Sequence, residues 1–214
     1  MIRRAEHASG YHDRVEILPD GRSVAWGFAC GIETTGFVGF ESARVRLDPS
    51  GAVTVASGMT SQGQGQLTTY AQVCAEILGV PFADVTVSLG DSDLLPFGRG
   101  AFASRGAVIG ANAVAGAAEK LRDRILDHAG TLLQRPAHEL TIREGCILVK
   151  DGSETGLSLA SIAEAFMPGG PLYAGATALE DEFIYDSKGS LTFAFSAHAA
   201  QVAADMYSGD YQVV

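Results

Sequence analysis

Residues 41–79 read ESARVRLDPSGAVTVASGMTSQGQGQLTTYAQVCAEILG, and the spacing of apolar residues changes partway along them. Ala43, Val45 and Leu47 alternate with Arg44, Arg46 and Asp48, the two-residue period of a half-buried strand. Asp48-Pro49-Ser50-Gly51 is a turn with proline second and glycine fourth, and Ala52–Ser57 returns as the partner strand. A glycine- and glutamine-rich segment, Gly58–Gln66, follows. Beyond it Leu67, Tyr70, Ala71, Cys74, Ile77 and Leu78 fall on one helical face, closed by Gly79 and Pro81.

Toward the N-terminus, Ser23–Gly39 is rich in aromatic and β-branched residues and reads as strand. Residues 1–14 are polar and unpatterned, so they are expected to be an extension, frayed or docked on an absent partner, to a domain spanning 15–214. Toward the C-terminus, a strand is expected over Asp84–Leu89, then a long glycine-rich loop, Gly90–Ala103. A long helix is expected over roughly 105–134. Its first half is almost all Gly, Ala, Val and Ile, side chains small enough for close packing, and its second half is amphipathic. Glu144-Gly145 turns between Glu139–Arg143 and Cys146–Lys150. Leu157–Phe166 reads as a short helix. The last third reads as strands over Leu172–Tyr185, Leu191–Met206 and Tyr211–Val214, with turns at 187–190 and 207–210. The fold class is therefore α+β, with mixed and antiparallel sheets around one short and one long packed helix. Two sub-lobes, 15–137 and 138–214, are expected. Val213-Val214 stops inside an apolar strand, which reads as a strand cut short or completed by another polypeptide.

Composition narrows the function. The 214 residues hold 15 Lys+Arg against 25 Asp+Glu, a net charge of −10, which opposes binding to a phosphate backbone. No apolar run approaches the ~20 residues of a membrane span, and the N-terminus lacks the apolar core of a signal peptide. Cys30, Cys74 and Cys146 are scattered and odd in number; they indicate no zinc knuckle or disulfide framework, and are expected to be free buried thiols in a reducing cytoplasm. Glycine is in excess: 26 residues, about 12% against a usual ~7%.

Two loops carry the candidate chemistry. Gly63-x-Gly65 lies between a strand and a helix start, where unpaired N–H groups and the positive dipole end suit a phosphate or an electron-rich heterocycle. Gln62, Gln64 and Gln66 add uncharged amide donors and acceptors. The segment lacks the G-K-[ST] of a P-loop and the G-x-G-x-x-G of a dinucleotide fold, and a tight structural turn explains it equally well locally. Gly98–Gly106 (GRGAFASRG) also precedes a helix. Ala103, Ser104 and Arg105 could there offer N–H groups, a hydroxyl and a guanidinium to an anion, against the simpler reading of Ser104 as a helix cap. If the two units pack side by side, both loops face one cleft. Asp91 and Asp93 read as Asx-turn formers rather than cation ligands, and His198 as a core or interface histidine. No metal ligand set and no catalytic nucleophile or base is indicated.

Taken in order, Gly63-Gln64-Gly65-Gln66-x-Thr68-Thr69-Tyr70-Ala71-Gln72, Leu78-Gly79-Val80-Pro81, Val85-x-Val87, Gly90-Asp91-Ser92-Asp93-x-x-Pro96-x-Gly98, Ala103-Ser104-Arg105 and Phe195–Val202 resemble the large, molybdopterin-binding subunit of the xanthine dehydrogenase / aldehyde oxidase / carbon monoxide dehydrogenase family. The match runs from about Trp26 to the C-terminus, in the first part of that family's second cofactor-binding region. The resemblance implies an oxidoreductase portion holding molybdenum through molybdopterin cytosine dinucleotide. It implies iron–sulfur and FAD groups on partner subunits only, no cysteine ligand to the metal, and an oligomeric cytoplasmic assembly without nucleic acid or membrane span. It places Gln64 beside the pterin, with Gly63 and Gly65 allowing the approach. Gln66 and Thr68 would meet the phosphate or nucleotide part, and Ala103, Ser104 and Arg105 would form a second cradle through backbone and hydroxyl. Gly106 stands where relatives often carry a hydroxyl. The family's earlier glycine-phenylalanine loop and its G-x-G-E glutamate, the general base, have no counterpart here. The chain is thus expected to need the remaining molybdopterin-binding segments and to be inactive alone in oxidising an aldehyde, an N-heterocycle or carbon monoxide. The alternative is a non-catalytic module of the same fold that binds no cofactor.

Overall fold

The computed structural model describes residues 1–12, 14–36, 39–95, 97–173, 178–188 and 192–214. Pro96 of the quoted motif, residues 174–177 of the strand expected from Leu172, and Gly189, Ser190 and Leu191 at the following turn lie outside the described residues; Leu172 itself stands in a turn, and the strand begins at Leu179. The chain divides into two compact units, residues 1–35 with 192–214, and residues 36–191. The division follows strand pairing, and residue 137, the expected sub-lobe boundary, falls inside the second unit.

The first unit is an antiparallel sheet. Its centre is a long ladder between β2 (Ser23–Thr35) and β10 (Thr192–Ala204), flanked by β1 (Glu16–Ile17) and β11 (Tyr211–Val213). The register puts Trp26, Phe28, Cys30 and Ile32 on the same face as Phe193, Phe195, Ala197 and Ala199. Residues 1–14 are not wholly frayed as expected: Ile2–Ser9 is a helix, α1, stopped by Gly10 in the left-handed region and packed near β10. No residue of α1 is buried, so the sequence shows no apolar stripe there.

The second unit holds the core. β3 (Phe40–Leu47) pairs antiparallel with β4 (Val53–Ser57) and with β9 (Leu179–Asp186), and β4 pairs parallel with β5 (Val85–Leu89) through the crossover helix α2 (Gln66–Leu78). A π-helical turn, Gly106–Gly110, leads into the long helix α3 (Ala111–Leu133). Ala43, Val45 and Leu47 face the core as their alternation requires. Tyr70, Ala71, Cys74 and Leu78 of α2 and Ala113, Val114, Ala117 and Ala118 of α3 meet them there. The small residues do bring α3 close: a Cβ on Gly116 would strike the Phe183 ring on β9. Leu67 departs from its expected inward face and is 52% exposed, because it stands in the first turn of α2 beside exposed Gln64 and Thr68. A third sheet, β6 (Leu140–Arg143), β7 (Cys146–Val149) and β8 (Glu154–Ser158), turns at Glu144-Gly145 with both residues at positive φ, and leads into α4 (Leu159–Ala165). Among the thiols only Cys74 is buried; Cys30 on β2 and Cys146 on β7 are exposed, against expectation, and His198 on β10 is exposed too, so it is not a core histidine.

Candidate functional site: two glycine-rich loops at one sheet edge

Parallel pairing of β4 with β5 puts the C-terminal ends of both strands at the same edge of the sheet. The segment leaving β4 (58–65) and the one leaving β5 (90–105) therefore emerge side by side. They are tied together. The Ala101 N–H donates to Thr60 Oγ1 (3.1 Å), and Gln62 Nε2 donates to the Ala101 carbonyl (3.4 Å). At the base Gly58 and Gly98 press together: a Cβ on Gly58 would lie 2.7 Å from the Gly98 Cα and 2.8 Å from the Phe97 carbonyl. Gly90 N–H donates to the Ser57 carbonyl (2.9 Å), so the second segment starts from the strand that launches the first.

Antiparallel β3 begins at this same edge, and it brings a carboxylate that the sequence reading did not single out. Glu41 is 0% exposed. It accepts the N–H groups of Arg99 (3.2 Å to Oε2) and Gly100 (3.3 Å to Oε2), and the Arg105 guanidinium lies 3.5 Å away. Arg105, also 0% exposed, donates from Nη1 to the Gly100 carbonyl and from Nη2 to the Phe40 carbonyl, each at 2.6 Å, with its guanidinium over the Phe102 ring. Nothing in one linear stretch signals this pair, because 64 residues separate its members. A buried acid and base reach full burial only by satisfying each other and nearby backbone groups.

The predicted residues fall as follows. Gly63 and Gly65 have φ of 96° and 85°, and no protein atom would come within 4 Å of a Cβ on either. Their glycine character thus serves the backbone turn and leaves open space outside it. Gln64 and Thr68 are exposed, and Gln64 Oε1 accepts the Gln62 N–H (2.5 Å). Gly65 caps α2 without a side-chain bond. The Gly65 carbonyl takes the Thr69 N–H, which leaves the N–H groups of Gln66, Leu67 and Thr68 at the helix's open end. Gln66 is 4% exposed, and its Oε1 has no partner among the described residues. Its amide nitrogen faces Gly106, where a Cβ would sit 2.6 Å from it. That contact gives a packing reason for glycine at 106.

Ala103 and Ser104 take φ of 46° and 53°, a left-handed pair of non-glycine residues. Arg105 has its side chain turned inward, so of the two roles read for it only the backbone one survives. Its guanidinium is committed to the interior and cannot reach an outside anion. Asp91 Oδ1 accepts the Asp93 N–H (2.9 Å), the Asx turn expected there. Tyr70, wholly buried, donates its hydroxyl to the Gly106 carbonyl (2.8 Å) at the π-helical turn. Burial, and then the Glu41 charge, push its phenol above the ordinary tyrosine value. Among the described residues no cluster of three His, Cys, Asp or Glu side chains could hold a metal ion, and no helix is long and apolar enough to cross a membrane.

The arrangement is a cradle of two loops above a buried ion pair, at the strand-end edge of a mixed sheet; the first loop is uncharged and amide-rich, and the second carries exposed Asp91, Asp93 and Arg99. It suits an anionic heterocyclic ligand read by hydrogen bonds. Comparison with known proteins agrees in kind. The sequence profile of the molybdopterin cofactor-binding domain matches residues 4–214, and the chain belongs to that family. The large subunit of nicotine 6-hydroxylase from Paenarthrobacter nicotinovorans is 37% identical over 125 residues, 58% of this chain and 15% of its own length. The xanthine dehydrogenase molybdenum-binding subunit of Escherichia coli O157:H7 is 40% identical over 135 residues, 62% of this chain and 17% of its own. Quinoline 2-oxidoreductase from Pseudomonas putida 86 superposes with a TM-score of 0.76 at 31% identity, over 99% of this chain and 27% of that one. The chain thus spans about a sixth of the length of these curated relatives.

Proposed function

We propose that this chain is a cofactor-holding portion of a molybdenum hydroxylase or dehydrogenase, and that its part is to cradle a molybdopterin, in the cytosine dinucleotide form, between segments 58–66 and 98–106. The observation that carries this reading is Gln66. A carboxamide oxygen that is buried and unpaired costs about 1–3 kcal/mol, and it stands beside the open N-terminus of α2. A pterin or nucleotide amino group supplies the missing donor, and the helix N–H groups supply donors for a phosphate. The donor set fits the group, being neutral amides and backbone N–H groups, with open space beyond Gly63 and Gly65.

In this reading Gln64 lies along the pterin. Gln66 and Thr68 hold the phosphate or nucleotide part, and the backbone of Ala103, Ser104 and Arg105 closes the second side. The bound molybdenum centre supplies two-electron oxidation of a carbon substrate. The residues of this chain bind, orient and shield it. The remaining molybdopterin-binding segments, and the iron–sulfur and FAD subunits of a cytoplasmic oligomer, complete the enzyme, and this chain alone does not turn over substrate.

The test is to co-express the chain with its neighbouring gene products and assay molybdenum and cytosine nucleotide in the purified assembly. Gln66→Ala and Gln64→Ala each lower retained molybdenum severalfold, the worth of about one hydrogen bond. A homogeneous chain free of molybdenum and nucleotide in the presence of all partners refutes the proposal and favours the non-catalytic module.

A further inference from the structure

We infer that Glu41 is the positioning residue of the cradle: its buried carboxylate pins the 98–106 segment against the 58–66 segment and so sets the gap between them. The inference rests on the proposed cofactor role for its importance, though not for its geometry.

The carboxylate is the one acidic group beneath both loops that is wholly buried among the described residues. One oxygen lies 2.6 Å from where a Cβ on Gly58 would stand and 3.0 Å from one on Gly98. Glycine at both places thus makes room for the acid as much as for the opposite loop. The other oxygen collects the N–H groups of Arg99 and Gly100 and the guanidinium of Arg105. Arg105 closes the ring by holding the Gly100 and Phe40 carbonyls, and Phe40 is the residue before Glu41 on β3. Four of these bonds join the start of β3 to residues 99–105, and the fifth, from Arg105 to the Gly100 carbonyl, braces that segment internally. None of these bonds involves Ala43, Val45 or Val55, which belong to the hydrophobic core below.

The two carbonyls and two N–H groups are backbone, so the pin fixes main-chain atoms. Those same few residues carry the left-handed pair Ala103 and Ser104. Holding two non-glycine residues there costs roughly 1 kcal/mol each or more, and such conformations persist only where surrounding bonds over-determine them. The Glu41–Arg105 ring is that surrounding. Because the acid and base cancel, the cradle gains stiffness without adding net charge under an anionic ligand.

The experiment is residue-resolved hydrogen exchange on the 214-residue chain, comparing wild type with Glu41→Met/Arg105→Met, which removes both charges at similar volume, and with Glu41→Gln, which keeps the shape but leaves the Arg105 charge unpaired. In Glu41→Gln a nitrogen faces N–H donors whichever way the amide turns, because Oε1 also accepts, from the Ser42 N–H (3.3 Å) and the Arg99 N–H (3.4 Å). The Arg99 and Gly100 amides exchange about tenfold faster or more in both variants, while Val45 and Val55 keep their protection. Unchanged exchange at 99–100 in both variants overturns the inference. So does a uniform rise that includes Val45 and Val55, which would make the pair a general stabiliser. In the co-expressed assembly, both variants also retain less molybdenum, read at a temperature where circular dichroism shows each fully folded. Normal retention with exposed 99–100 amides would overturn the positioning role. A wild-type assembly without molybdenum would instead count against the cofactor reading and leave the exchange result standing.

Discussion

Gly58→Ala tests whether the two loops meet as tightly as the geometry says. The new Cβ would lie 2.6 Å from Glu41 Oε1, 2.7 Å from the Gly98 Cα and 2.8 Å from the Phe97 carbonyl. Comfortable contact between non-bonded carbon atoms is about 3.5–4.0 Å, so one of the segments must retreat by most of an ångström. Two of the three neighbours are backbone, and the third is a carboxylate held by its own hydrogen bonds, so no flexible side chain can swing aside. Overpacking of this kind costs about 1–3 kcal/mol, and a weakened bond to the buried carboxylate adds roughly another 1.5 kcal/mol. The sum, about 3 kcal/mol, is a large share of the 5–15 kcal/mol that stabilises an ordinary domain. Gly63→Ala is the control. It meets nothing within 4 Å and has only its φ of +96° to oppose it, in an exposed loop, so it costs about 1 kcal/mol. Urea denaturation of both variants reads the difference directly. If Gly58→Ala stays within 0.5 kcal/mol of wild type, or is no worse than Gly63→Ala, the loops are not packed as described.

Three further outcomes are expected. Burial pushes the Cys74 thiol up to about 12, whereas Cys30 and Cys146 are exposed. Iodoacetamide at pH 8 should label two thiols in the native chain and the third only on unfolding, as counted by mass spectrometry. His128 is held below its ordinary value, first by burial and then by Arg124, so its neutral form is favoured in the folded state. The sign follows: the contribution is present above the unfolded value near 6.5 and is lost as pH falls through the lower folded value, so stability should decline over that acid range and His128→Phe should flatten the decline. Finally, a Cβ on Gly110 would strike the Tyr70 hydroxyl. Tyr70→Phe should cost about 1 kcal/mol alone and recover part of the loss caused by Gly110→Ala; simple additivity in that double-mutant cycle would argue against the contact.

The parts of the fold legible in the sequence are those whose cause is local. The β3–β4 hairpin announced itself by alternation and a proline-glycine turn, α2 by its apolar face and Gly79, and α3 by a run of small residues followed by an amphipathic half. The parts that stayed hidden depend on partners elsewhere in the chain. β8 (ETGLS) has no alternation and is a strand because β7 pairs with it. The α1 helix has no buried stripe, and Gly10 ends it. The two compact units interleave along the chain because β2 and β10, some 160 residues apart, form one ladder. No local pattern encodes such a pairing.

The site divides in the same way, and the division bears on how it would work. The loops were legible because glycine clusters before two helix starts, joined by glutamine at the first. Their adjacency was conditional until β4 and β5 proved to be parallel neighbours. Arg105 shows the limit of reading a charge by its address. In a loop before a helix it reads as an anion donor, yet the start of β3 supplies Glu41 and the Phe40 carbonyl, and the guanidinium turns inward to them. The cradle therefore separates two tasks. Under the proposed function the groups that meet a ligand, at Gln64, Gln66 and Thr68, sit on one loop and helix start, while the buried pair Glu41 and Arg105 holds the opposite segment. A substitution in the first set should alter how tightly a ligand is held. A substitution in the second should alter how many conformations the empty site samples, and it acts on every ligand alike.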